Sequence, residues 1–217
     1  MKEIELKTSV RQDIWICRHG NRIDFVDPSW KGSDPPLSPD GVVQAKETGI
    51  RLRNEGIQHI FSSPFLRTVE TAHYIAEALD LSIKIEQGVC EWLNANWFPT
   101  PPIFLPLNEM RRRFPRIDET YISRVSPKFP ESREEVNARC RAVANSLADT
   151  SRSSILIVGH GASVLGMTRA LMGEDLSIKP GLCALVKIVR ENGSARLVLD
   201  GDSSHLSGGE AQRDRFN

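Results

Sequence analysis

Ile14-Trp15-Ile16-Cys17-Arg18-His19-Gly20 reads as a short apolar strand that delivers a guanidinium and an imidazole together at its carboxyl end. In an open α/β sheet that end faces the crevice where ligands bind and reacting groups gather. A neutral imidazole nitrogen is a nucleophile toward phosphorus, and Arg offers a planar fork of donors that matches the oxygens of a phosphoryl group. The pair alone is weak ground, because a strand-end His is commonly a structural residue. Its weight depends on what the rest of the chain brings beside it.

Strand-like and helix-like segments alternate on both sides of this stretch, the pattern of an α/β fold with a mostly parallel central sheet and helices on both faces. Ser38-Pro39 supplies an N-cap and a first-turn proline to a helix that repeats Val42, Ala45, Gly49 and Leu52 on one face and stops at Asn54-Glu55-Gly56. Residues 57–61 form a second buried strand. Ser63-Pro64 then repeats the cap-and-proline device ahead of a helix with Val69, Ala72, Ala76 and Leu79, which places Arg67 in a first helical turn. A third strand at about 82–86 leads to Glu91. Further on, Ser132 and Glu135 make a capping box for a helix whose core face is Val136, Cys140, Val143 and Leu147. Residues 154–158 are the clearest buried strand, running into Gly159-His160-Gly161 and a helix carrying Val164, Thr168 and Leu171. Two closing strands, near 182–189 and 195–199, flank the turn Asn192-Gly193 and leave an edge at which two copies could pair as a homodimer.

The pattern breaks between Glu91 and the capping box. Residues 92–131 hold seven of the chain's 13 prolines together with Trp92, Trp97, Phe98, Phe104, Phe114 and Tyr121. Rings at that density argue for an ordered cap over a disordered linker. They either line an apolar pocket or form the cap's own core, and the sequence leaves both open. One domain is expected over residues 13–202, interrupted by the cap, with an N-terminal segment at 1–12 and a polar, Gly-rich tail at 203–217 that should fray.

Composition narrows the function classes. With 217 residues, the chain can bury a substantial core without metals or disulfides. Lys plus Arg equals Asp plus Glu at 28 each, so nothing in the overall charge attracts nucleic acid or an anionic membrane. The opening residues Met1-Lys2-Glu3-Ile4-Glu5-Leu6-Lys7 lack an uncharged apolar region of the secretory kind, and no later run reaches membrane-spanning length; a soluble, cytoplasmic protein is expected. Cys17, Cys90, Cys140 and Cys183 are scattered, make no Cys-x-x-Cys pair and read as buried reduced thiols, with no metal site implied. No P-loop is present, and Gly161-Ala162-Ser163-Val164-Leu165 lacks the second glycine of a serine-hydrolase elbow.

Four strand ends therefore deliver candidates to one crevice: Arg18 with His19, Arg67, Glu91 and His160. With Arg18-His19-Gly20, Pro36-Leu37-Ser38, the run from Ser62 through Thr68, Glu91 and Gly159-His160-Gly161, the chain resembles the histidine phosphatase superfamily, of phosphoglycerate-mutase-like fold. Within it, Asn21-Arg22-Ile23-Asp24, Cys90-Glu91-Trp92-Leu93 and Phe129-Pro130-Glu131-Ser132 are similar to the suppressor-of-T-cell-receptor-signalling proteins and the ecdysteroid-phosphate phosphatases. The resemblance implies a metal-independent, cofactor-free phosphomonoesterase. His19 would take the phosphoryl group, and Arg18, Arg22, Arg67 and His160 would hold its oxygens. Glu91 would protonate the leaving oxygen and then activate water. The substrate would be a phosphorylated small molecule or a phosphoprotein. Asn21 departs from the Glu or Gln that many of these enzymes carry.

Blander readings compete at several positions. His59, His73 and His205 suit surface or packing roles. Arg111-Arg112-Arg113 reads as one solvated helix face before it reads as a clamp for a second anion. Two other functions share the same residues: a phosphoglycerate-type mutase, which needs a closed pocket, and a non-catalytic phosphate-recognition module, which has no use for Glu91 or a neutral His19.

Overall fold

A computed structural model describes residues 11–208 apart from 33, 151–152, 174 and 179. The segment 1–10 and most of the expected tail lie outside the described residues. Six strands form one sheet: β1 (Arg11–Arg18), β2 (Ile57–Ser62), β3 (Ile83–Ile85), β4 (Ser154–Gly159), β5 (Leu185–Glu191) and β6 (Ser194–Asp202). Their order is β3-β2-β4-β1-β5-β6. The first four strands are mutually parallel, while β5 runs antiparallel to β1 and β6 antiparallel to β5. The sheet is thus mostly parallel, as the alternation of segments implies, and the edge strand β6 is one of the closing pair.

Five helices cover the faces: α1 (Pro39–Leu52), α2 (Leu66–Leu79), α3 (Leu107–Arg113), α4 (Arg133–Thr150) and α5 (Gly161–Met172). The period of two along β1 sorts its side chains between the layers. Ile14 and Ile16 pack with Cys140, Val143, Leu147 and Val164 of α4 and α5. Trp15 and Cys17 face Leu52, Val69, Ala72 and Ile75 of α1 and α2. β1 is buried on both faces, which explains its unbroken apolar run.

Caps behave as local chemistry dictates, with one exception. Ser38 Oγ accepts from Gly41 N at 3.2 Å, and Ser132 and Glu135 exchange both bonds of their capping box at 2.8 and 3.2 Å. Ser63, expected to cap α2, does not: the N-cap is Phe65, whose side chain cannot accept, and the Leu66 N–H is met instead by the Asp34 carboxylate at 2.9 and 3.0 Å. Ser63 Oγ is bonded elsewhere, to His160. The expected fraying also fails over residues 203–206, where buried Leu206 packs with Leu37, Ala45 and Cys183, and His205 Nε2 lies 3.0 Å from Thr48 Oγ1. Two glycines let α1 press on the loop after His19. A Cβ on Gly41 would sit 2.1 Å from Asn21 O, and one on Gly20 2.7 Å from Gly41 O.

The rings of the cap divide between a small core of their own and a cavity wall. Phe98 and Phe104 pack on buried Phe65, with centroids 5.9 and 5.0 Å apart, beside Cys90 and Leu93. At its other end the cap hangs on one carboxylate. Glu86, fully buried just past β3, accepts from Tyr121 Oη (2.6 Å), Ser123 Oγ (2.8 Å), Arg124 N (2.9 Å), Val125 N (3.1 Å) and Gly88 N (3.0 Å). Burial and then the Glu86 charge push the Tyr121 phenol up, keeping it a donor. Glu86→Ala strips the acceptor from this cluster and is expected to cost about 3–5 kcal/mol. The urea midpoint should fall accordingly, while the denaturant slope reports whether the cap alone detaches.

Candidate active site

Register builds the site. Arg18 pairs with Gly159 and Ser62 with Val158, so β1, β4 and β2 end at one level. Two further backbone bonds, His19 N to Gly159 O at 3.0 Å and Ser63 N to Val158 O at 3.1 Å, carry that alignment past the strand ends. His19, Ser63 and His160 consequently emerge side by side. Arg67 arrives from the first turn of α2. Glu91 follows the 3-10 turn Gln87–Val89 that closes off β3. Arg18, His19, Arg67, Glu91 and His160 are each no more than 3% exposed.

The imidazoles of His19 and His160 meet edge to face with centroids 5.4 Å apart, and His160 Nδ1 lies 3.7 Å from Glu91 Oε2. His160 Nε2 is 2.8 Å from Ser63 Oγ. Phe65 backs the cluster, its ring 5.0 Å from that of His160 and 4.4 Å from the Arg67 guanidinium carbon. Arg67 Nη1 is 3.6 Å from Asp34 Oδ1.

Hydrogen bonding sets the His19 tautomer. Nδ1 stands 2.8 Å from the carbonyl of Gly20, an acceptor only, so Nδ1 carries the hydrogen and Nε2 of the neutral ring keeps its lone pair. Nε2 is buried with no hydrogen-bond partner among the described residues. Burial, then the charges of Arg67 and Arg18, hold the His19 pKa well below its ordinary value. For His160 the causes are burial, Arg67, His19 and Arg18, in the same direction. Burial also lowers Arg67, to about 10, which leaves it charged at neutral pH.

These shifts have a consequence for stability. Below about pH 6.5 the unfolded chain protonates both imidazoles while the fold keeps them neutral, so stability conferred above that pH is lost as pH falls. Each ring contributes a slope of up to about 1.4 kcal/mol per pH unit. Thermal midpoints measured from pH 7 to 5 should therefore drop, and the drop should be shallower in His160→Gln.

Not every expected residue meets the same centre. Arg22 lines the adjoining cavity, but its fork lies on Asp24, Nε to Oδ1 at 2.9 Å and Nη2 to Oδ2 at 2.5 Å, with its guanidinium carbon 4.2 Å from the Phe25 centroid. Asn21 is fully buried and faces the protein: its Nδ2 donates to Asp40 at 2.6 Å, its N–H to Gln44 Oε1 at 2.9 Å, and its own Oδ1 accepts from Arg22 N at 3.1 Å. His59, His73 and His205 lie apart. Ser63, Asp24 and Asp34 are the contributors that sequence reasoning misses, since a serine before a helix and two loop aspartates carry no signal of which distant partner they meet.

Two cavities flank Glu91. One, of about 530 Å³, is walled by Arg22, Asp24, Arg67, Phe25, Phe98 and Ile103. The other, of about 390 Å³, is walled by Arg18, Trp92, Val136, Leu165, Ile178 and Pro180. Glu91 and Trp97 border both. Among the described residues, no group of three or more His, Cys, Asp or Glu is placed to hold a metal ion, and no helix is long and apolar enough to cross a membrane.

A fold whose parallel strands end in paired histidines and buried arginines defines a phosphate-handling protein, and the chain belongs to the histidine phosphatase superfamily (branch 1), whose family model matches residues 14–203. Among individual proteins it is 35% identical over 214 residues to human ubiquitin-associated and SH3 domain-containing protein A, covering 76% of this chain and 32% of that protein. It is 28% identical over 237 residues to the ecdysteroid-phosphate phosphatase of Drosophila melanogaster, covering 85% and 31%. A probable phosphoglycerate mutase of Yersinia enterocolitica is 32% identical over 163 residues, 74% of each chain. The chain spans about a third of the length of the first two relatives. In structure it resembles the ecdysone phosphate phosphatase of Bombyx mori solved with tungstate, with a TM-score of 0.73 at 22% identity, covering 95% of this chain and 98% of that one.

Proposed function

We propose that this chain is a metal-independent phosphomonoesterase that works through a phosphohistidine on His19. The observation that carries the reading is the buried His19 Nε2 lone pair, set by the Gly20 carbonyl and placed among Arg18, Arg67 and His160 with Glu91 at hand. Nε2 attacks phosphorus, the P–N bond forms as the ester P–O bond breaks, and the leaving oxygen takes the Glu91 proton. Water then attacks the phosphohistidine, giving a proton to the Glu91 carboxylate as the P–N bond breaks, which frees phosphate and restores the carboxylic acid. Arg18, Arg67 and a His160 N–H offset the roughly −1.5 to −2 charges of the phosphoryl group. Arg22 joins them by turning part of its fork from Asp24.

The larger cavity supports a leaving group with an apolar body, a phosphorylated small molecule or a phosphoprotein side chain, because Phe25, Phe98, Trp97 and Ile103 line it. A mutase needs cations for a second phosphate; among the described residues the arginines on that cavity wall are Arg22 and Arg67, which already serve the first, and Arg111, Arg112 and Arg113 on α3 do not line it. The buried free thiols Cys17, Cys90, Cys140 and Cys183 support work in a reducing compartment, the cytoplasm.

The test is phosphate release from p-nitrophenyl phosphate with excess EDTA, paired with an assay of 3-phosphoglycerate isomerisation primed by bisphosphoglycerate. Hydrolysis undiminished by the chelator, with free phosphate and not isomer as product, is expected. Activity abolished by EDTA and restored by a divalent ion would overturn the metal-independent route.

A further inference from the structure

Glu91 lies on a stretch without regular structure, between the turn Gln87–Val89 and the cap, yet proton transfer demands a well-placed carboxyl. What holds the stretch in place is a guanidinium from the buried face of α4. Arg139 has five N–H donors, and each finds an acceptor. Nε reaches Glu131 Oε1 at 2.6 Å, Nη1 reaches Gly88 O at 2.7 Å and Cys90 O at 3.0 Å, and Nη2 reaches Glu91 O at 3.0 Å and Glu131 Oε2 at 2.8 Å. The carbonyl of Glu91 itself and two just before it thus converge on one planar group.

Glu131 closes the clamp from the other side. Its Oε2 accepts from Leu93 N at 3.1 Å, its N–H donates to Leu93 O at 2.9 Å, and its carbonyl accepts from Trp92 Nε1 at 2.9 Å. The two side chains are 4% and 2% exposed. Burial, the largest single influence, would lower the Arg139 pKa, but the bond to Glu131 together with the neighbouring Cys90, Cys140 and Glu131 groups outweighs it, and the guanidinium stays charged. The turn presses directly on α4, since a Cβ on Gly88 would sit 2.9 Å from Val143 Cγ2.

We propose that Arg139 and Glu131 are positioning residues for Glu91, fixing its backbone so that the carboxyl meets the leaving oxygen and later the attacking water. This rests on the acid–base role given to Glu91 above. Stability is a poor reason for such a pair, because apolar residues of similar volume commonly replace a buried ion pair without loss. Three carbonyls bracketing one reacting carboxyl are a specific reason.

The test compares kcat/KM across aryl phosphates whose phenols range from acidic to weakly acidic, in wild type, Glu91→Gln, Arg139→Lys and Glu131→Gln, with thermal melts to verify folding. Lys keeps the charge and loses the fork. Arg139→Lys should lose roughly tenfold to a hundredfold on phenyl phosphate and less than about threefold on p-nitrophenyl phosphate, whose leaving group needs little protonation, with KM nearly constant. Its phosphohistidine should also hydrolyse more slowly. Glu131→Gln carries the same expectation and replaces Arg139→Lys if that chain does not fold. An equal loss across the series, or none, in a folded variant overturns the positioning role while Glu91→Gln still shows steep dependence on the leaving group. If Glu91→Gln itself shows no such dependence, the acid role of Glu91 falls instead.

Discussion

His19→Ala is expected to lower kcat/KM for p-nitrophenyl phosphate by roughly 10⁴-fold or more, with the chain still folded. The size follows from the lack of a substitute. Within the cluster the second imidazole is His160, whose Nε2 is bonded to Ser63 and whose Nδ1, 3.7 Å from Glu91 Oε2, is the N–H assigned above to the phosphoryl oxygens, so in that role neither nitrogen offers a lone pair for the attack. Charge stabilisation by Arg18 and Arg67 would survive and leave a small residual rate. Quenching wild type in alkali during turnover should show a phosphoryl adduct on His19 by mass, absent in the variant. Wild-type turnover by His19→Ala would end the phosphohistidine route.

Arg67→Met should have the second largest effect, a loss of roughly 10²- to 10³-fold in kcat/KM, through three routes that reinforce one another. It removes donors from the equatorial oxygens. It leaves the Asp34 carboxylate, now 3.6 Å from Arg67 Nη1, facing an incoming dianion without its counter-charge. It also removes the cation that ranks next to burial in holding the His19 pKa down. The acid limb of the kcat/KM profile, set well below 6.5 on the His19 side in wild type, should therefore move upward in the variant. Asp34→Asn added to Arg67→Met should restore part of the binding loss. A profile whose acid limb does not move would show that the Arg67 charge is not what keeps His19 neutral.

Much of this arrangement is visible in the chain before any coordinates, because short-range physics writes it. The unbroken apolar runs of β1 and β4 and the capping signals at Ser38 and Ser132 give the layers, and the positions of His19, Arg67, Glu91 and His160 at or just past strand ends give the meeting point. What is hidden depends on partners far away in the chain. Ser63 reads as a cap because serine before proline commonly is one, but the hydroxyl is claimed by His160, 97 residues on, and Asp34 takes its place. Arg139 sits one residue before core-facing Cys140, where a charge would ordinarily mark solvent. Only its pairing with Glu131 and with carbonyls 48 to 51 residues away makes burial tolerable. Arg22 was expected on phosphate oxygens, and its neighbour Asp24 holds the fork because an i, i+2 contact across the short turn is closer than any site on the strands.

The manner in which the cap is fastened separates two evolutionary tasks. The two reacting imidazoles follow strand ends, whereas one wall of the chamber for the departing moiety is furnished by residues 97–103, which neither enter the sheet nor supply its register. Moored at Glu86 on one flank and Phe65 on the other, that stretch can change in sequence while the two imidazoles keep their places at the strand ends. Selectivity is then a tenant of the scaffold, free to change without asking the chemistry to move.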